Sequence, residues 1–296
     1  MTWDELESLV RERLLGDVDG ASVEARWIVE RVSGSRDEPV RGGELAPPAA
    51  VFHGLEMAER RVGGEPLQYV LGEWSFREFD VLVDPRVLVP RPETEVTAEV
   101  AITEGARLGL RLGRTDPWAG DGGAAPVVDL GTGSGVLALA LGFAFADVEV
   151  WGTDVRGEAL AVARANVAGA GSVATRIRLV AGCWFDALPE DLRGRIVLVV
   201  SNPPYVSEVE LAQLPAVVAD HEPHDALVSG PTGLEAIEAI VRAAPRWLAP
   251  RSALVVELAP HQADAATALA LEAGFSEAFV RADLAGRPRV LVARLS

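Results

Sequence analysis

The sequence predicts an α/β protein: a doubly wound, mostly parallel sheet preceded by a small helical region. Three observations carry this. From Pro126 to the end of the chain, short runs rich in valine, isoleucine and leucine alternate with segments of helical length, the pattern of strand–helix–strand units. The first of these runs ends in a glycine loop, Asp129-Leu-Gly-Thr-Gly-Ser-Gly135, which opens a helical stretch. The second ends on an acidic residue, Asp154, where such sheets place a carboxylate beside the ligand crevice.

The elements follow in chain order. Thr2 and Glu5 have the spacing of a capping box, and Leu6, Leu9, Val10 and Leu14 continue at helical period. A second amphipathic run covers Ser22 to Val32, and a third runs from about Pro47 to Val62, ended by Gly63 and Gly64. From Tyr69 to Val83 the character changes. YVLGEW and FREFDVLV are rich in aromatic and β-branched residues, and Gly72 allows a bend. They predict a β-hairpin between two domains. Pro90 and Pro92 stiffen LVPRPETE ahead of a helix from about Glu93 to Leu112, and the Gly/Pro/Asp-rich stretch Arg114–Pro126 reads as an insertion. Beyond it the expected strands are 127–130 (VVDL), Val148–Asp154, Ile177–Ala181, Ile196–Ser201, Leu254–Leu258, Phe279–Arg281 and Val290–Arg294. The expected helices are Ser134–Phe145, Glu158–Ala168, Leu234–Leu248 and Gln262–Ala273. Three parts result: a helical region 1–65, a hairpin linker 66–90 and an α/β domain 91–296.

Composition narrows the function. The chain has 296 residues, 49% of them hydrophobic, enough for one large domain and a small one. Its formal net charge is −17 and all 27 basic residues are arginines. An acidic chain without a dense basic run lacks the electrostatic footprint of a nucleic-acid binder. Cys183 is the single cysteine, so no internal disulfide and no cysteine-based zinc site can form. His221, Glu222 and His224 cluster in sequence but read as an ordinary loop, and no metal is expected. No apolar stretch is long enough to span a membrane. The N-terminus is charged and amphipathic, unlike a secretory signal. A cytoplasmic monomer is the expectation.

The glycine loop is a weak signal alone, because it also fits a dinucleotide dehydrogenase. Its spacing is G-x-G-x-G rather than G-x-G-x-x-G. Gly131, Gly133 and Gly135, interleaved with Thr132 and Ser134, let the backbone approach a ligand closely. A loop this tight, opened by an acid, suits a ligand carrying an amino acid in place of phosphates. Asp129 would then face a cationic ammonium, directly or through water, or else cap the turn. Asp154 is placed to hold ribose hydroxyls.

The second signal is Asn202-Pro203-Pro204-Tyr205, directly after the apolar run IVLVVS. Consecutive prolines fix φ twice and restrict the residues before them, which makes a rigid corner at the carboxyl end of a central strand. Such a corner can hold a planar NH2 group. The Asn202 side-chain oxygen accepts one N–H, a backbone carbonyl such as that of Pro203 accepts the other, and Tyr205 stacks on the flat group. The nitrogen lone pair is then presented in line with a methyl group. This chemistry needs positioning and charge stabilisation rather than a strong base.

Together these motifs resemble the class I S-adenosylmethionine methyltransferases, and more closely the bacterial release factor glutamine methyltransferases. The resemblance runs through GGEPLQYVLGEWSF, LVPRPETE, VVDLGTGSGVLALAL, WGTD, CWFDAL, VSNPPY and HEPHDALVSGPTGLEAI, nearly the whole chain. It implies a Rossmann-like catalytic domain of seven strands behind a helical domain and a hairpin. It implies S-adenosylmethionine as cofactor, and as substrate the glutamine of the Gly-Gly-Gln loop of class I peptide chain release factors, with no direct nucleic-acid partner. By position, Gly131–Gly135 would line the methionine part, Asp154 the ribose and Trp184 the adenine, while Asn202–Tyr205 would hold the glutamine amide. Cys183 stands where the family often has an acid, and His221 replaces an aromatic residue. An exocyclic-amine methyltransferase acting on DNA adenine or rRNA guanine shares the corner; the acidic charge argues against it. The helices of 1–65 carry no chemical motif and are expected to recognise the protein substrate.

Overall fold

The computed structural model describes residues 1–34, 42–113 and 124–296. They divide into two compact units, Met1–Trp74 with Pro215–His221, and Ser75–Leu214 with Glu222–Ser296. No helix among the described residues is long and apolar enough to cross a membrane.

In the first unit α1 (Trp3–Leu14) starts at the expected capping box. The Thr2 hydroxyl accepts the Glu5 N–H at 3.3 Å and the Glu5 carboxylate accepts the Thr2 N–H at 2.8 Å. Leu6, Val10 and Leu14 face inward and are wholly buried. They join residues of α2 (Ala21–Ser33) and α3 (Pro48–Val62), among them Ala25, Ile28 and Ala58, in a separate hydrophobic core.

The hairpin expected from Tyr69 begins later. Leu67–Leu71 is a short helix, α4, entered through Pro66 at φ −53° and closed by Gly72 in the left-handed region at φ 74°. Burying Leu67, Tyr69, Val70 and Leu71 on this one turn overrides their β propensity, which is mainly a preference for a half-buried pleated surface. The hairpin proper is β1 (Glu73–Phe76) and β2 (Phe79–Leu82).

The second unit opens with α5 (Pro92–Arg107), whose proline at the helix start has no N–H to leave unsatisfied. The helix ends a turn before Leu112, because the chain turns at Gly109 with φ 89°. Most of the insertion expected over Arg114–Pro126 lies outside the described residues. Then follow β3 (Ala125–Leu130), α6 (Val136–Ala144), β4 (Val148–Asp154), α7 (Gly157–Ala168), β5 (Ile177–Ala181) and β6 (Ile196–Ser201). A small parallel pair is made by β7 (Val206–Ser207) and β8 (Val228–Gly230). The helix Glu235–Ala243 precedes β9 (Leu248–Glu257), the helix Ala263–Glu272 follows it, and β10 (Glu277–Ala282) and β11 (Pro288–Arg294) complete the chain.

Seven strands form one sheet in the order β10-β11-β9-β6-β3-β4-β5. The pairs β3–β4, β4–β5, β3–β6 and β6–β9 are parallel, and β11 runs antiparallel to both β9 and β10. The expected doubly wound, mostly parallel sheet of seven strands is therefore present. Val127, Val128, Leu198, Val199, Val200, Leu254, Val255 and Val256 are all 0% exposed, as strands covered on both faces require. One boundary differs. The helix expected to run to Leu248 gives way to a 3-10 turn at Ala244–Arg246, where Pro245 cannot continue an α-helical hydrogen-bond ladder. β9 starts there and absorbs Pro250 and Arg251 through a register shift against β6. After β5 the chain returns to the other side of β3, so the crevice at the carboxyl ends of β3 and β6 is the topological switch point.

Candidate active site

A cleft opens at the carboxyl ends of β3, β4 and β6, where open α/β sheets bind ligands. All three strands feed it. Gly131, Thr132, Gly133 and Ser134 come from the loop after β3, Asp154 from the end of β4, and Asn202 and Pro204 from the corner after β6. Trp184 also lines it.

The loop after β3 is possible only with glycine at its key positions. Gly131 has φ 71°, and a Cβ there would lie 3.2 Å from the Trp184 ring. Trp184 itself is held at φ 45°. Gly135, at φ 88°, would bring a Cβ to 3.4 Å from that of Ala163, so this glycine lets the loop run against α7.

Asp129 does not line the cleft. It is 0% exposed, and its Oδ2 accepts from the Thr132 hydroxyl at 2.6 Å and from the Ala138 N–H at 3.0 Å. Of the two roles weighed for it, capping the turn is the one observed. Burial pushes its carboxyl up to about 7, against the pull of these two hydrogen bonds. Its Oδ1 has no partner. Asp154 lies at the surface of the cleft. Its Oδ2 accepts from the Gly133 N–H and its Oδ1 from the Arg156 N–H, both at 2.9 Å. Burial raises its pKa. A carboxylate offers about four acceptor positions, so these two bonds leave capacity for a ligand. Asn166 fastens the loop from behind, donating to the Ser134 and Leu82 carbonyls at 2.9 and 3.0 Å.

The corner after β6 is pinned by Ser201, whose hydroxyl donates to the Leu130 carbonyl at 2.7 Å. Asn202 is half-buried, and its Nδ2 donates to Thr94 Oγ1 at 3.0 Å. No donor among the described residues takes its Oδ1. Pro203 is buried behind the cleft wall. Tyr205 does not line the cleft. Its hydroxyl reaches Glu257 Oε1 at 3.4 Å, and its carbonyl accepts from Gln262 Nε2 at 2.9 Å. Burial, reinforced by Glu257, raises the phenol well above its ordinary range.

Two ion pairs fix the flanks. Arg91 pairs with the buried Glu222, which also accepts from the Val89 N–H at 3.4 Å. Arg156 pairs with Asp225 at 3.1 Å. The sequence motifs brought Gly131–Ser134, Asp154, Trp184, Asn202 and Pro204 to one cleft, and they missed Thr94, Glu222 and Glu257. A visible signal existed for Glu257, an acid ending the apolar run LVVE.

A seven-stranded sheet of this order, with a glycine loop, an acidic β4 terminus and an Asn-Pro-Pro corner on one cleft, defines a class I methyltransferase. The methyltransferase small domain family matches residues 121–220. Release factor glutamine methyltransferases from Bordetella pertussis and Cereibacter sphaeroides are similar to this chain along nearly all of it. The first is 38% identical over 94% of this chain and 96% of its own. The second is 36% identical over 99% of this chain and 98% of its own. The chain belongs to the release factor glutamine methyltransferase family. Its fold is also similar to that of the hMettl16 catalytic domain, solved in complex with the MAT2A 3′UTR hairpin 6. That match has a TM-score of 0.53 and 14% identity, and covers 91% of this chain and 92% of the other.

Proposed function

We propose that this chain transfers the methyl group of S-adenosylmethionine to the side-chain nitrogen of the glutamine in the Gly-Gly-Gln loop of class I peptide chain release factors. One observation carries the reading: the glycine loop, Asp154 and the Asn202 corner open on the same cleft. A cofactor held by the first two therefore meets a substrate held by the third. The names of the similar chains give the substrate class.

The residues present fit that cofactor. Asp154 keeps acceptor capacity for ribose hydroxyls, and Trp184 offers a flat wall beside Gly131 for the adenine. Thr132, Gly133 and Ser134 line the part of the cleft that would take the methionine end. In its ionised form the buried Asp129 adds negative potential near a cationic ligand. When bound, S-adenosylmethionine supplies a methyl group on a positively charged sulfur.

The chain's own residues act on the substrate amide. The free Oδ1 of Asn202 accepts one amide N–H and the Pro203 carbonyl the other, so the nitrogen is oriented with its lone pair toward the methyl carbon. A bound cofactor would supply the methyl carbon to this nitrogen and keep the electron pair of the broken S–C bond, and the nitrogen would lose a proton to solvent. Both acceptors stabilise the positive charge that develops on nitrogen. Pro204 and Tyr205 keep the corner rigid, so little is lost to reorganisation. Residues 1–65 supply remote contacts to the protein substrate, energy that orients the reacting loop.

The test is mass spectrometry after incubation with cofactor and either an intact class I release factor or duplex DNA and rRNA fragments. Methylation on glutamine supports the reading. Methylation of nucleic acid alone refutes it.

A further inference from the structure

Glu257 ends β9 and is 0% exposed, behind the Asn202 corner. Three hydroxyls converge on it. Thr97 donates to its Oε2 at 2.9 Å and Tyr205 reaches its Oε1 at 3.4 Å, and the Thr94 hydroxyl, one turn of α5 before that of Thr97, also pulls its pKa down. Thr94 and Thr97 are three residues apart at the start of α5, so they share one helix face. The other charges facing it are Arg289 on β11, which attracts, and Glu93 on α5, which repels. Arg287 pairs with Glu93 at 3.0 Å. Thr94, in turn, accepts from Asn202 Nδ2 at 3.0 Å.

We propose that Glu257, acting through Thr94, is a positioning residue that decides which end of the Asn202 amide faces the cleft. This rests on the reading of Asn202 Oδ1 as the acceptor for the substrate amide. A carboxylate can only accept hydrogen bonds. The Thr94 proton therefore points to Glu257, and the Thr94 oxygen has only lone pairs left for Asn202. Asn202 must turn its NH2 to Thr94 and its carbonyl oxygen to the cleft. A neutral group at position 257 removes this directionality. It can donate to Thr94, which then donates to Asn202 Oδ1, and the amide turns over. The cleft would then present an NH2 to the N–H of the substrate, donor against donor.

Three hydroxyls take the place of an arginine here, and they leave the acid easy to protonate. Burial pushes Glu257 up to about 7 against the hydrogen bonds from Thr97 and Thr94 and the attraction of Arg289. The competent form is the ionised one, so turnover rises as pH rises through that value.

The test compares Glu257→Gln, Thr94→Val, Thr94→Ser and Asn202→Ala with the wild type. An intact release factor and S-adenosylmethionine are the substrates, and kcat, KM and cofactor affinity are measured from pH 5.5 to 9. Glu257→Gln and Thr94→Val should lower kcat at least tenfold with cofactor Kd within threefold of wild type. Thr94→Ser, which keeps the hydroxyl, should recover kcat to within threefold. The acid limb of the wild-type kcat profile should vanish in Glu257→Gln. If Glu257→Gln does not fold, the Thr94 pair decides. Wild-type kcat in Thr94→Val beside an inactive Asn202→Ala overturns the proposal and leaves the role of Asn202 standing. Equal loss in Thr94→Val and Thr94→Ser also overturns it. Near wild-type kcat in Asn202→Ala overturns the reading on which it rests.

Discussion

Asp154→Ala should weaken S-adenosylmethionine binding by about two orders of magnitude, and the structure sets that figure. The carboxylate already accepts two backbone N–H groups, from Gly133 and Arg156, each at 2.9 Å. Two further acceptor positions are assigned to ribose hydroxyls. Hydrogen bonds to a charged group contribute about 1.5–3 kcal/mol each, which gives an upper range of about 3–6 kcal/mol for the pair. Asp154 is half-buried on an open cleft, so water replaces part of what is lost and the lower end applies. About 3 kcal/mol corresponds to about 100-fold in Kd. Alanine also frees the Gly133 N–H and loosens the loop, which acts in the same direction. Asp154→Asn separates the effects. Its remaining oxygen can still accept from Gly133 while the charge is gone, and a loss nearer tenfold is expected. Isothermal titration of each variant, with melting temperatures as a control on folding, reads these numbers. A Kd for Asp154→Ala within threefold of wild type would refute the ribose assignment.

Asn202→Ala should keep cofactor Kd within threefold and lower kcat by about 100-fold or more in single-turnover assays, as loss of a preorganised transition-state contact does. Arg91→Ala strands the buried Glu222 without its partner, so denaturant unfolding at pH 8 should show a loss of about 3 kcal/mol. Burial already raises the Glu222 pKa, and removing the arginine raises it further. The folded variant then holds a proton that the unfolded chain releases, and its deficit should shrink as pH falls toward 5. Phe52→Asp, at a side chain 59% exposed on α3, should raise KM for intact release factor while turnover of a short Gly-Gly-Gln peptide stays unchanged. Equal effects on both substrates would remove the first unit from substrate recognition.

The site was legible where a motif is contiguous and obscure where it is assembled across the fold. Gly131–Gly135 and Asn202–Tyr205 each announce themselves because a run of glycines or prolines imposes its own backbone geometry. Asp154 was found by its place at a strand end. Glu257 has the same kind of place and went unread, because its partners Thr94 and Thr97 lie 160 or more residues away and nothing in the sequence joins them. Thr94 was inside a quoted segment, LVPRPETE, yet a threonine in the first helical turn reads as ordinary helix-start chemistry. Tyr69–Leu71 failed differently. Aromatic and β-branched residues between Pro66 and Gly72 suit a strand by propensity, and the packing of the helical unit decided otherwise. Leu248–Ser252 failed because Pro250 and a left-handed Arg251 look like a turn, while the sheet absorbs them as a register shift.

The acids of the cleft share a physical design that bears on the choice of ligand. The chain has no lysine, and Asp129, Asp154 and Glu257 are held mainly by neutral donors. Asp129 takes a hydroxyl and a backbone N–H, Asp154 two backbone N–H groups, and Glu257 three hydroxyls. Glu222 and Asp225 have direct arginine partners, Arg91 and Arg156. The arginines that line the cleft are already engaged, Arg86 with Asp84 and Arg156 with Asp225. Neutral donors fix an acid in place without adding a positive charge, so in their ionised forms these acids give the region a negative potential. A pyrophosphate would enter such a field at a cost, and a sulfonium with an ammonium tail enters it at a gain. The glycine loop alone is compatible with either ligand. The uncancelled acids around it favour the cation.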